Sequence, residues 1–204
     1  MGLQVREGSG AITPDAQKST MLLSGLTQEI TSPIEQDQDL RVPGADGKVA
    51  RRYGESVTKV TFKTGGLKGS DIDLVVLACE TESMDKCETA GSSGGSTDEE
   101  MVEFTPDPAR FYVPVVTGYT VAVRPALFKS TEILTLKEPE AGALTVTGGT
   151  GGVFDIGYNF DVAASKILMM PEFTSGLWRA TGDVTLRGAD GFSFLRIPVT
   201  VSAQ

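Results

Sequence analysis

From Val57 onward the chain alternates between apolar and polar positions in short stretches. Val57, Lys59-Val-Thr-Phe62 and Lys63 point inward and outward in turn, as a half-buried strand does, and Lys68-Gly-Ser70 ends the connection after it. Asp71–Ala78, Met101–Phe104, Phe111–Val116, Tyr119–Val123 and Glu132–Leu136 are read as further strands. Gly, Pro and Asp turns separate them, the signature of an antiparallel β-sandwich, jelly-roll or immunoglobulin-like. After Glu138-Pro-Glu-Ala-Gly142, an acidic Pro/Gly break taken as the domain boundary, come Leu144–Thr147, Val153–Val162, Lys166–Met170, Leu177–Arg187 and Phe192–Val201. The expected organisation is a sandwich over 56–137, with 142–204 forming either a second small sandwich or the closing half of the first.

Residues 1–55 lack this pattern. They are polar, with turn signals at Gly8-Ser-Gly, Thr13-Pro, Ser32-Pro and Pro43-Gly-Ala-Asp-Gly47. Met21-Leu-Leu23 and Ile30 are isolated apolar positions, with at most one weak helix over 15–30. The stretch reads as an extended arm that orders against another surface, with Met21, Leu22, Leu23 and Ile30 as interface residues.

Composition narrows the function. A net charge of −9 opposes nucleic acid, because phosphate binding needs a concentrated basic surface. Histidine is absent, which removes Ser-His-Asp and Cys-His machinery, His-ligated zinc and any histidine switch. No apolar run reaches the length of a membrane span, and Met1–Gly10 has no secretory apolar core, so a mature fragment or a virion component is expected. A carboxylate-based enzyme is the remaining catalytic alternative; the chain is read as non-enzymatic.

The candidate chemistry gathers between Ser70 and Tyr119. Asp71 and Asp73 lie two apart, so an extended strand sends both carboxylates to one face while Ile72 and Leu74 turn inward. With Asp98, Glu99 and Glu100 of the Gly/Ser-rich loop they offer oxygen ligands of the kind calcium takes, the one cofactor the sequence suggests. The plainer reading of the same carboxylates is a solvated face. Cys79 and Cys87 flank a short connection and are expected to pair as a disulfide, with two reduced thiols as the alternative. Gly148-Gly-Thr-Gly-Gly152 precedes a strand rather than a helix, so it reads as a β-turn and not a phosphate loop. Trp178 is either a core residue or part of a contact surface.

Val60-Thr-Phe-Lys-Thr, Ser70-Asp-Ile-Asp-Leu-Val-Val, Cys79 and Cys87, the Gly91–Glu100 loop and Phe111-Tyr-Val-Pro-Val-Val-Thr-Gly-Tyr119 resemble the pre-peptidase C-terminal type of β-sandwich, over about residues 58–123. That resemblance implies a non-catalytic accessory domain of secreted proteins, sometimes calcium-binding. Pro114 departs from it and suggests an edge strand. Ser175-Gly-Leu-Trp178 with Gly182-Asp-Val-Thr-Leu resembles the ending of bacterial pilins. The expectation is an extracellular or virion structural subunit, homo-oligomeric or bound to other structural proteins. The alternative is an accessory binding module.

Overall fold

The computed structural model describes residues 14–122, 124–148, 154–161 and 164–203. Their strands are β1 (Thr20–Pro33), β2 (Asp39–Arg41), β3 (Val57–Gly65), β4 (Asp71–Cys79), β5 (Glu88–Ser93), β6 (Met101–Phe104), β7 (Phe111–Thr120), β8 (Leu127–Ala141), β9 (Ala143–Gly148), β10 (Phe154–Asn159), β11 (Arg179–Arg187) and β12 (Ser193–Ser202), with one helical turn, α1 (Pro171–Thr174). They form a six-stranded sheet in the order β12-β11-β1-β8-β3-β6, a four-stranded sheet β2-β7-β4-β5 and a ribbon β9-β10. All pairings between these strands are antiparallel. The molecule is an all-β sandwich.

One apolar core joins the two main sheets. Leu26, Val60, Phe128 and Leu134 of the larger sheet pack with Ile72, Leu74, Val76 and Val116 of the smaller one, every one of them buried. That is the face-to-face stacking in which alternate residues of each strand fill the space between layers. The ribbon covers the remainder: Leu144, Val146 and Ile156 pack against Met21, Val184 and Leu186.

The expected arm is a correction. Residues 20–33 form a central strand of the larger sheet, held by β11 on one side and β8 on the other. Two features hide it from the sequence. A register shift between Leu23 and Gly25 moves the inward positions from Met21 and Leu23 to Leu26 and Gln28, so no constant period survives. Beyond the shift, two of the buried positions are the polar residues Gln28 and Ser32. Glycine is required where the backbones crowd: a Cβ on Gly25 would strike the Leu134 carbonyl oxygen, and one on Gly182 the Leu22 carbonyl oxygen. Residues 1–13, which hold the Gly8-Ser-Gly turn signal and Thr13 of the next, lie outside the described residues.

The expected boundary at 138–142 is also absent as a break. β8 runs through it to Ala141 and pairs with β1 and β3. Residues beyond 142 then add β11 and β12 to the same sheet, so they close the first sandwich. Pro114 lies in β7, which has neighbours on both sides and is not an edge. β2 pairs only with Val115–Thr117, and beyond it Val42 N–H donates to the Pro114 carbonyl, so no amide of Pro114 is needed there. Phe111–Val116 and Tyr119–Val123, expected as two strands, are one strand ending at Thr120. Lys166–Met170 forms turns rather than a strand. Residues 149–152 of the glycine turn, and Val153 after it, lie outside the described residues.

Candidate functional site

The expected acidic site divides into separate roles. Ile72 and Leu74 are buried, and Asp71 and Asp73 share the outer face of β4. Asp98 turns inward, where its Oδ2 accepts the Leu67 amide at 2.5 Å. Glu100 is buried too; it accepts from the Ser93 hydroxyl and, at 3.0 Å, from the Gly95 amide. Glu99 is exposed. Burial, with the charges of Asp71 and Glu100, raises the Asp73 carboxyl above its ordinary 3.8. Among the described residues no set of three or more His, Cys, Asp or Glu side chains is placed to hold a metal ion. Two of the five expected calcium ligands are therefore spent organising the 93–100 loop.

Cys79 and Cys87 form a disulfide with their Cα atoms 4.0 Å apart. It ties the end of β4 to the residue just before β5, closing the connection of the β4–β5 hairpin. The expected contact residues are distributed between core and surface. Met21 and Leu23 are buried in the two cores, Ile30 is half-buried, and Leu22 is 36% exposed. Burial of Met21 and Leu23 removes them from any interface, because they close the sheet of their own chain. Trp178 is partly buried against the main core.

The site that the sequence did not single out lies around Glu132. This β8 residue points between the sheets and is buried. Its Oε2 accepts from Arg51 Nε at 2.8 Å and Gln28 Nε2 at 2.6 Å, and its Oε1 accepts from the Tyr53 hydroxyl at 2.5 Å. Arg51 also donates through Nη1 to the carbonyls of Val42 and Val49, each at 3.0 Å, and lies over the Phe62 ring. Gln28 Oε1 accepts the Ala45 amide at 3.0 Å. Burial pushes the Glu132 carboxyl upward, opposed by the Arg51 charge and by the hydrogen bonds from Tyr53, Gln28 and Arg51. Burial and the neighbouring Glu132 raise the Tyr53 hydroxyl well above its ordinary 10.0.

Arg51, Gln28 and Tyr53 each donate to Glu132, and both carboxylate oxygens are occupied. The arrangement fastens the 42–53 loop to the sheets and leaves no free base for proton transfer. One signal was readable in the sequence: Glu132 is the one charged residue on the inward series Phe128, Ser130, Glu132, Leu134 and Leu136. Its partners come from β1 and the loop before β3, which no local spacing connects.

Beside the network is a cleft of ≈ 280 Å³ whose walls include Trp178 and Glu172. Glu172 follows the helix-starting Pro171, and its Oε2 is buried with no hydrogen-bond partner among the described residues. Comparison of the chain with family models, with curated proteins and with solved structures found no match.

Proposed function

We propose that the protein is a non-enzymatic structural subunit that self-assembles within a larger extracellular structure, such as a virion or surface filament. The observation that carries this reading is β12. It closes the six-stranded sheet and is paired on one side only, along ten residues. The other sheet edges are shorter: β6 has four residues, β2 three and β5 six. An unblunted edge presents unpaired amides to another chain.

Apolar surface accompanies this edge, with Phe192 77% and Leu195 39% exposed. The charge of Arg196 is drawn onto Asp183 of β11. Pro198 carries no amide proton, so strand addition is confined to the Ser193–Ile197 half. Contact between copies is thus assigned to this edge, in place of the buried Met21 and Leu23. The disulfide supports an oxidising, extracellular setting. Among the described residues no helix is long and apolar enough to cross a membrane.

Light scattering across a concentration series tests the reading. Wild type is expected to exceed monomer mass, and the double variant Phe192→Lys with Leu195→Lys to run as a folded monomer. A wild type that stays monomeric to ~100 µM, a range in which micromolar contacts form, overturns it, as does an unchanged mass in the variant. A monomer would favour the accessory-module reading. That reading is supported by the pairing of two of its motif segments, Asp71–Leu74 and Tyr112–Tyr119, as adjacent strands.

A further inference from the structure

The disulfide holds a segment that has little else to hold it. Residues 80–86 connect β4 to β5, and Cys87 ends the connection. Their polar contacts are internal. The Thr81 and Ser83 hydroxyls donate to Asp85, the Lys86 ammonium pairs with Glu80, the Glu80 amide donates to the Asp85 carbonyl and the Met84 amide to the Thr81 carbonyl. Among the described residues no hydrogen bond or ion pair joins 80–86 to the protein outside 80–87. The remaining attachment is apolar: Met84 packs against the cluster of Ala50, Cys79 and Val113. Glu82 lines the cleft of ≈ 280 Å³ together with Ala50 and Phe111, so the segment forms part of its wall.

The two sulfurs are unequally placed. Cys79 is 0% exposed, whereas Cys87 is exposed. A thiolate from solution therefore reaches Cys87 Sγ and not Cys79 Sγ, and exchange begins on the segment itself.

We propose that residues 80–87 are a redox-controlled flap, closed over the Ala50, Cys79 and Val113 cluster while the two cysteines are bonded, and lifting from it when a dithiol reduces them. One thiolate of the dithiol attacks Cys87 Sγ, forming a mixed disulfide and releasing Cys79, which takes up a proton. The second thiol of the reductant displaces Cys87, which is protonated in turn, and the reductant leaves as a cyclic disulfide. Two electrons and two protons pass to the protein. The Cys79 sulfur faces Cys87, so departure of the flap uncovers it and opens the cleft at Glu82. The main core is untouched, because Ile72, Leu74, Val76 and Ala78 lie on the other face of β4. The flap is thus open where thiols are kept reduced and closed where they are oxidised. It operates within a single chain, whether or not copies assemble.

The test is dithiothreitol on the full chain in native buffer, then excess iodoacetamide, with alkylation of each cysteine timed by mass spectrometry. Reduced Cys79 is expected to react within about tenfold of the Cys87 rate; a flap that stays closed would make it wait for global unfolding, about a thousandfold slower or more. Hydrogen exchange in β1 and β8 should stay as slow as in the oxidised protein. Met84→Gln removes the apolar attachment, and is expected to speed alkylation of reduced Cys79 further while leaving the oxidised protein's exchange in β1 and β8 unchanged. Three results overturn the inference: a bond that dithiothreitol leaves intact, a Cys79 still unmodified when Cys87 has fully reacted, or alkylation of Cys79 that comes only with lost protection in β1 and β8.

Discussion

Tyr53 shows how far one residue can couple the interior to solution conditions. Its hydroxyl donates to Glu132 in a site closed to water, and both burial and that neighbouring charge resist its ionisation. In the unfolded chain it ionises near 10.0; in the folded chain it keeps its proton to a higher pH. Between those values the unfolded state binds fewer protons, so stability contributed by this group falls as pH rises past 10. Tyr53→Phe should cost about 1.5–3 kcal/mol at pH 7, the worth of a hydrogen bond to a charged group. Above pH 10 its melting temperature should fall less steeply than that of wild type. Thermal unfolding at pH 7, 9.5 and 11 checks both; parallel slopes would remove Tyr53 from the alkaline limb. Glu132 itself was visible as a polar residue on an inward position, but Arg51, Tyr53 and Gln28 are 81, 79 and 104 residues away along the chain. Sequence spacing cannot join groups at such separations.

At the scale of elements, the β4–β5 hairpin depends on its covalent tie. The Cys79 side is buried, whereas Cys87 is exposed and open to reductant. The connection between them is held locally by Thr81 and Ser83, whose hydroxyls donate to Asp85 and keep its carboxyl below the ordinary range. Met84 and Lys86 adopt positive φ, 66° and 46°, an uncommon conformation for side-chain-bearing residues. The bridge spans a sequence separation of 8, for which loop closure contributes about 2–3 kcal/mol. Reduction, or the double substitution Cys79→Ser with Cys87→Ser, should lower the unfolding free energy by that amount in urea titration. A loss below about 0.5 kcal/mol would mean the hydroxyl–Asp85 turn alone fixes the hairpin. The strand β4 was legible because its alternation is regular from Asp71 to Ala78. β1 was not, because its bulge changes the inward parity within one strand.

For the whole molecule, the sheet order decides what counts as a unit. β1, from the N-terminal part, sits between β8 and β11, and β11 and β12 come from the last part of the chain. Long-range pairing of this kind leaves no half that can close its core alone. Calorimetry on the oxidised protein should therefore show one cooperative transition, with equal calorimetric and van't Hoff enthalpies. Two separated transitions, or a cooperatively folded fragment of residues 14–141, would restore the expected second domain.

The sequence by itself determined the all-β class, most strand positions after Val57, and the cysteine pair, because period-two alternation and short covalent spacings are local properties. It holds no histidine, which removes histidine chemistry, and its net charge of −9 set an expectation against nucleic acid. Only the tertiary structure made residues 20–33 a central strand, ended the expected boundary at Gly142, and turned Asp98 and Glu100 inward while Asp71 and Asp73 stay on the outer face of β4 and Glu99 is exposed. Only it set Glu172 beside Trp178 and brought Arg51, Tyr53 and Gln28 onto Glu132. The physical reason is common to all of these. Sheet order and burial are set by which distant strands meet, and a bulge or a buried polar partner overrides the local pattern from which a sequence is read.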